Sequence, residues 1–366
     1  MTEVLANGNF GQSLSKIGSS VGPYLGALAS VVGVIMAFIP SESAELAFMK
    51  NMMKNIDNRL DQVDNRFNDI ERLINWNVVR VNFWQIQQKI NVASDEFQHI
   101  YTVPEAAFRN RTQLFIDSYD SDYQNSGKKL YDAIVNNQNI FQDNLGTSIM
   151  LYTKYDRRKT QIFLLGVMKL LLKAVTVELG FLQIKQYNRN VDYMKSQWQI
   201  RIQQVRRKFE DFDQQCVSNY QSQSGKDIDE YSPQHSWQSN SQFATGLFRL
   251  LAKKYYWRDW IVIAYNPIRG SGTHYVKVRG GHIKFRKNGR NIVVASVDEN
   301  HPVMNLAYAR WGMNDVSMTT HNFWKGDVRR SAKDIYEDID RNDAALCSVI
   351  RSYNNANYHY HSKRAV

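Results

Sequence analysis

Cationic side chains interleaved with aromatics are the residues in this chain best placed to do chemistry. Lys253-Lys254-Tyr255-Tyr256-Trp257-Arg258-Asp259-Trp260 is the densest run. A cation beside a ring can meet a phosphate while the ring stacks on a base, as in single-stranded nucleic-acid binding. The same combination suits a membrane interface, where Trp and Tyr lie at head-group depth and Lys or Arg faces anionic lipid. Lys253, Lys254, Tyr256, Trp257 and Arg258 are therefore the candidate membrane- or receptor-binding residues, and Trp260 is a candidate for the core. Among eight histidines only His359 and His361 are close in sequence, too few ligands for a metal site. Cys216 and Cys347 lack metal-ligand spacing; one long-range bridge and two buried thiols are both compatible with the sequence. There is no P-loop, no H-E-x-x-H and no G-x-G-x-x-G, and Gly270-Ser271-Gly272-Thr273 opens no clear helix. The expectation is a protein that is not an enzyme and uses no metal, cofactor or small-molecule substrate.

The positions of these residues follow from the charge map. The chain has 366 residues and a net charge of +11. Residues 1–230 carry 26 Lys+Arg against 25 Asp+Glu, whereas residues 231–366 carry 20 against 10. The basic excess thus belongs to the last third, which points that part toward an anionic partner such as anionic lipid or an acidic glycan. With two cysteines, six prolines and 43% hydrophobic residues, the chain is neither a disulfide scaffold nor disordered throughout.

Three segments emerge: 1–41, 42–230 and 231–366. In the second, Leu46, Met49, Met53, Ile56, Leu60, Val63, Phe67, Ile70 and Ile74 recur in alternating steps of three and four. That spacing is the a/d seam of a coiled coil, and Pro104 marks the outer limit of its helix. A second seam runs Ile184, Tyr187, Val191, Met194, Trp198, Ile202, Val205, Phe209, Phe212, Cys216. Between the seams, Ile162 to Ile184 reads as a buried bundle helix whose Lys169 and Lys173 reach solvent. Two long seams predict a mainly α fold, an elongated antiparallel bundle. The Ser/Gln-rich stretch Gln221–Gln238 reads as a linker.

The third segment predicts a small basic α+β module. Trp260–Tyr265 is a β-like run ending at Asn266-Pro267, and a helix-like stretch lies near Val328–Ile350. Residues His282–Lys287, Asn288-Gly289 and Arg290–Val297 spell a hairpin with a type I′ turn. A two-residue turn sets Lys287 opposite Arg290, Phe285 opposite Ile292 and Ile283 opposite Val294.

The first segment is the candidate membrane-active element. Residues 17–41 hold no charged side chain, and Ile17–Ile39 would measure ~35 Å as a helix, enough to cross a hydrocarbon core of ~30 Å. Gly18, Gly22, Gly26 and Ser30 repeat every four residues, a row of small groups that lets helices touch in a pore. Val21, Leu25, Leu28, Val31, Val32, Ile35, Phe38 and Ile39 would face lipid. Glu3 and a polar lead-in do not fit a classical signal peptide. The expectation is a chain soluble at first, secreted or stored, that later meets a target-cell membrane.

Two places in the sequence resemble a known family. Glu45-Leu46-Ala47-Phe48-Met49-Lys50, Ile56-Asp57-Asn58-Arg59-Leu60-Asp61 and Leu73-Ile74-Asn75-Trp76 are similar to the rapunzel/cephalotoxin-like proteins. So are Asp259–Pro267 and Gly272-Thr273-His274-Tyr275-Val276, although the family often has Asp-Asn before the histidine, where this chain has Gly272 and Thr273. The resemblance implies an α-helical pore-forming toxin-like protein that binds a membrane lipid, releases an apolar segment and forms a homo-oligomer. A non-lytic structural or interaction protein and a nucleic-acid-binding protein are the alternatives.

Overall fold

The computed structural model describes residues 78–103, 105–138, 141, 143–267, 276–278, 280–298, 347–349 and 359–362. The seam at 46–74, the apolar stretch at 17–39 and His274 lie outside the described residues. The chain divides into two compact units, Met1–Val217 and Ser218–Val366. The described part of the first is helical and the second mixes helices with antiparallel sheet.

Unit 1 is built around one helix. Among the described residues its α-helices are α1 (Val78–Thr102), α2 (Phe108–Ser118), α3 (Ser126–Val135), α4 (Leu145–Tyr152), α5 (Arg157–Ile184) and α6 (Asn188–Ser218). Asn144 and Asp156 cap α4 and α5 by accepting from the backbone N–H of Thr147 and Lys159. The α1 helix ends at Thr102, just short of Pro104, as the sequence predicts. Residues from Thr160 to Glu178 are buried almost without a break along α5, because α1, α3, α4 and α6 cover its faces. Helices buried all round are apolar all round, which explains the two leucine-rich runs.

The second seam holds along α6 but not before it. Val191, Trp198, Ile202, Val205, Phe209, Phe212 and Cys216 are buried. Ile184 belongs to α5, and Tyr187 is exposed in the turn where Gln186 takes a left-handed conformation (φ 59°). The α6 seam does not form a separate coiled coil: Phe212 packs against Gly146 and Trp198 reaches α5. Lys169, expected to reach solvent, is 7% exposed, while Lys173 donates to Asn91 Oδ1 on α1 at 3.0 Å.

Polar clamps fix both ends of the α5–α6 hairpin. At one end Arg157 makes a two-pronged contact with Asp213 (2.8 and 2.7 Å), and Gln161 donates to the same carboxylate. At the other, Glu178 accepts from Trp198 Nε1 at 2.8 Å and from Tyr123 OH at 3.0 Å. Tyr123 OH in turn accepts from the backbone N–H of Gly127. A Cβ at Gly127 would lie 2.7 Å from both Glu178 Oε1 and Tyr123 OH, so only glycine lets α3 approach this network.

Unit 2 contains α7 (Tyr220–Gln234), α8 (Asn240–Lys254), β1 (Arg258–Tyr265), β2 (Val276–Val278), β3 (His282–Lys287), β4 (Arg290–Asp298), β5 (Cys347–Val349) and β6 (His359–Ser362). Four strands form an antiparallel sheet in the order β3-β4-β1-β6, and β2 pairs with β5. The helix-like reading near Val328–Ile350 is corrected at its end: Cys347–Val349 is strand. The linker reading of Gln221–Gln238 is also corrected. Most of it is α7, whose polar side chains find partners inside unit 2: Gln223 donates to Asp227, and Ser224 meets His282.

The hairpin turn is as expected, with Asn288 and Gly289 both at positive φ and Lys287 opposite Arg290. Beyond it the register differs by one. A bulge at Phe285-Arg286 sets Lys284 opposite Ile292 and Ile283 opposite Val293. Arg286 adopts φ 53° and its backbone N–H donates to Asn291 Oδ1, so the extra residue is held by a side chain rather than the ladder. Phe285 is consequently 50% exposed instead of facing Ile292.

The Glu178 network gives a testable consequence. Burial pushes the Glu178 carboxyl up from its ordinary range, against the pull of the Trp198 and Tyr123 hydrogen bonds and of Arg201. An acid raised on folding contributes stability that is complete below its unfolded value, about pH 4, and is lost as pH rises through the folded value. Glu178→Gln should flatten this loss, so its urea midpoint changes less than the parent's between pH 4 and pH 8. Glu178→Leu leaves two buried donors without an acceptor and should cost ~2–4 kcal/mol. Identical pH profiles for the parent and Glu178→Gln would contradict the assignment.

Candidate functional site

The run from Lys253 to Trp260 joins the end of α8 to β1, and the fold uses most of it internally. Tyr255 is fully buried beside Trp260, with ring centroids 5.5 Å apart, and its OH donates to Asp227 Oδ2 at 2.7 Å. Lys254 Nζ donates to both oxygens of Asp227 (2.9 and 2.7 Å) in a nearly enclosed ion pair. Trp257 is 9% exposed, and half-buried Tyr256 lies edge-on against it. Arg258 stacks over the Tyr220 ring at 3.8 Å and donates through Nε to Ser296 Oγ at 2.8 Å. Burial pulls its guanidinium below the usual arginine range.

Of the five candidate residues, only Lys253 is exposed. Lys254 ties α8 to α7, Arg258 ties β1 to α7 and β4, and Trp257 and Tyr256 pack at the junction of α8 and β1. Trp260 is in the core, as expected. The reason is geometric: a helix end running directly into a central strand must bury its side chains, so the cations need internal partners.

A different surface of unit 2 carries exposed aromatic and basic groups. Trp237, 78% exposed, lies in the short connection between α7 and α8. Its neighbours Ser236 and Gln238 offer their carbonyls to Arg290 Nη2 at 2.9 and 2.8 Å, and the same guanidinium lies over Phe243. Arg290 therefore fastens this connection to the start of β4, next to the hairpin turn. Phe285 and Arg286, turned outward by the bulge, are exposed on the other arm of that hairpin. Lys284 and Lys287 are held by Asp229 at 2.9 and 3.0 Å. Their hydrogen bonds and charges outweigh burial and lower its carboxyl. Sequence reasoning missed Trp237, Phe285 and Arg286. A lone tryptophan amid Ser and Gln was the available signal for the first; the other two depend on the bulge.

The Ser224–His282 pair is the one contact here with a catalytic look, with Oγ and Nε2 2.8 Å apart. Burial, helped by the charge of Lys284, lowers the imidazole from its ordinary value, so the ring is neutral near pH 7. Asp229, whose charge acts on the ring, is itself bound to Lys284 and Lys287. The arrangement docks β3 on α7 across Gly225, over which the ring lies. Gly18-Ser19-Ser20-Val21-Gly22 has the spelling of a nucleophile elbow, but it lies outside the described residues. Among the described residues no cluster of His, Cys, Asp and Glu could hold a metal ion, and no helix is long and apolar enough to cross a membrane. Cys216 is a free, buried thiol, pushed up to about 12 by burial.

Two variants separate scaffold from surface. Asp227→Asn leaves the Lys254 ammonium without its counter-charge and should cost ~3–5 kcal/mol in chemical denaturation. Lys253→Ala should leave the denaturation midpoint within ~0.5 kcal/mol of the parent. If the two variants unfold alike, the division of roles within this run is wrong.

No curated protein and no solved structure matches the chain. A family model does: the cephalotoxin-like middle helical domain, over residues 40–237. That match takes in all of α1 to α7 and more than half the sequence. The chain therefore belongs to the cephalotoxin-like family, as the motifs at 45–76 suggested.

Proposed function

We propose that this is a toxin-like protein, without enzymatic activity, that binds a membrane, inserts residues 17–39 and oligomerises into a pore. The observation that carries this reading is the uncharged, glycine-spaced stretch placed directly before the family's helical domain. Unit 2 supports it with a basic sequence and with exposed Trp237, Phe285 and Arg286, groups suited to the head-group region of a membrane bearing anionic lipid. In this reading Gly18, Gly22, Gly26 and Ser30 form the contact line between inserted helices, and Val21, Leu25, Leu28, Val32, Ile35 and Ile39 face lipid. The same basic surface could hold nucleic acid, but four of the five candidate residues in the densest cation–aromatic run are engaged within unit 2, which leaves little free stacking platform there.

The test is dye release from protein-free liposomes containing anionic lipid. Val31→Lys places a charge near the middle of the segment, a cost of ~2.5–3.5 kcal/mol for each inserted helix. Release should collapse while co-sedimentation with vesicles persists. Gly22→Leu should bind and insert but release less, by disturbing helix contacts. Trp237→Ala should lower co-sedimentation itself. Undiminished release by Val31→Lys would remove residues 17–39 from the mechanism. No release by the parent chain would favour the non-lytic interaction protein.

A further inference from the structure

The bulge in β3 does more than turn Phe285 outward. Lys284 and Lys287 stand at an odd spacing, which sets side chains on opposite faces of a regular strand. The extra residue between them restores the parity, and both ammonium groups reach one carboxylate on α7. Lys284 Nζ lies 2.9 Å from Asp229 Oδ2 and Lys287 Nζ lies 3.0 Å from Oδ1, so each oxygen meets one lysine. Arg286, exposed and next to Lys287 in the chain, adds a third cation.

Folding stability does not account for this arrangement. Arg286 is held in the left-handed region at φ 53°, a conformation that is strained for a residue with a side chain. What the bulge assembles is a pair of open contacts: the Asp229 side chain is 40% exposed, Lys284 29% and Lys287 38%. Ion pairs so accessible to water contribute little to stability, so the carboxylate is readily exchanged for another anion. The neighbouring pair of Asp227 and Lys254, at 7% and 13%, is closed to such exchange.

The chemistry of the ligand follows from the geometry. Two lysines that each hold one oxygen of a carboxylate can hold two oxygens of a phosphate in the same way, each acting as a point charge. Exposed Phe285 lies within the bulge itself, an aromatic suited to head-group depth, which makes a lipid surface the source of that phosphate. We propose that Lys284, Lys287 and Arg286 form a site for the phosphate of an anionic lipid headgroup, and that Asp229 occupies this site until the lipid displaces it. The proposal rests on the reading of unit 2 as membrane-binding, but not on insertion or pore formation.

Co-sedimentation of the full chain with phosphatidylcholine vesicles containing phosphatidic acid tests it. Asp229→Asn empties the site of its own carboxylate and should bind ~5-fold tighter than the parent, the effect of about one charge at the surface. Lys284→Gln/Lys287→Gln should abolish that gain, and should cost more in the Asp229→Asn background than in the parent, where the lysines are already occupied. Asp211→Asn, an equal change of charge on exposed α6, should bind like the parent. Far-UV circular dichroism checks that each variant is folded, with Asp229→Ser as a second uncharged replacement. At matched ionic strength, inorganic phosphate should displace the protein no more than chloride does; full displacement by phosphate would overturn the lipid as the partner. The site itself falls if Asp229→Asn binds no tighter than Asp211→Asn, or if its gain survives the loss of both lysines. An intact binding cycle without dye release would remove the pore and keep the site, and dye release without the cycle would do the reverse.

Discussion

A helix without a solvent face must have every charge on it answered from inside, and α5 imposes that condition on unit 1. Its leucine-rich surface gathers α1, α3, α4 and α6, each contributing residues to one core. Glu178 is the point of greatest demand. A carboxyl group in that setting is tolerated because Trp198 and Tyr123 donate to it from two other parts of the chain. Those donors set the depth of α6 and the position of the turn before α3. Gly127 stands in the first turn of α3 because nothing larger fits beside them.

Unit 2 resolves an equivalent problem differently. Its sequence is strongly basic, yet the cations nearest the sheet are fixed in place by Asp227, Asp229, Ser296 and backbone carbonyls. Lys254 and Arg290 are structural cations that fasten α7 and the α7–α8 connection to the sheet and α8. The outward face that results is defined by what the bulge and the connection project: Phe285, Arg286 and Trp237.

Much of the fold was legible in the sequence because it rests on periodicity. The α6 seam from Val191 to Cys216, the buried α5 and the strand ending at Asn266-Pro267 all follow from spacing and proline placement. What was not legible depends on partners distant in sequence. Ser/Gln-rich α7 reads as a linker until Asp227 is seen with Lys254 and Ser224 with His282, 58 residues away. Composition alone makes Lys253–Arg258 a surface patch, since no local signal shows that Ser296 and Tyr220 await Arg258. The hairpin turn obeys the Asn-Gly rule, but the bulge that reverses Phe285 is decided by the Asn291 side chain. Gln186 ends a seam that spacing alone carries through.

Family membership and an uncharged stretch ahead of the helical domain make membrane action the central claim. The most direct test is to attach an environment-sensitive fluorophore at position 28, through Leu28→Cys in a Cys347→Ser background, and add anionic vesicles. The account predicts a blue-shifted, brighter emission that is quenched by lipid-borne but not by aqueous quenchers, appearing with vesicle leakage. Leakage without any change in emission at position 28 would contradict it.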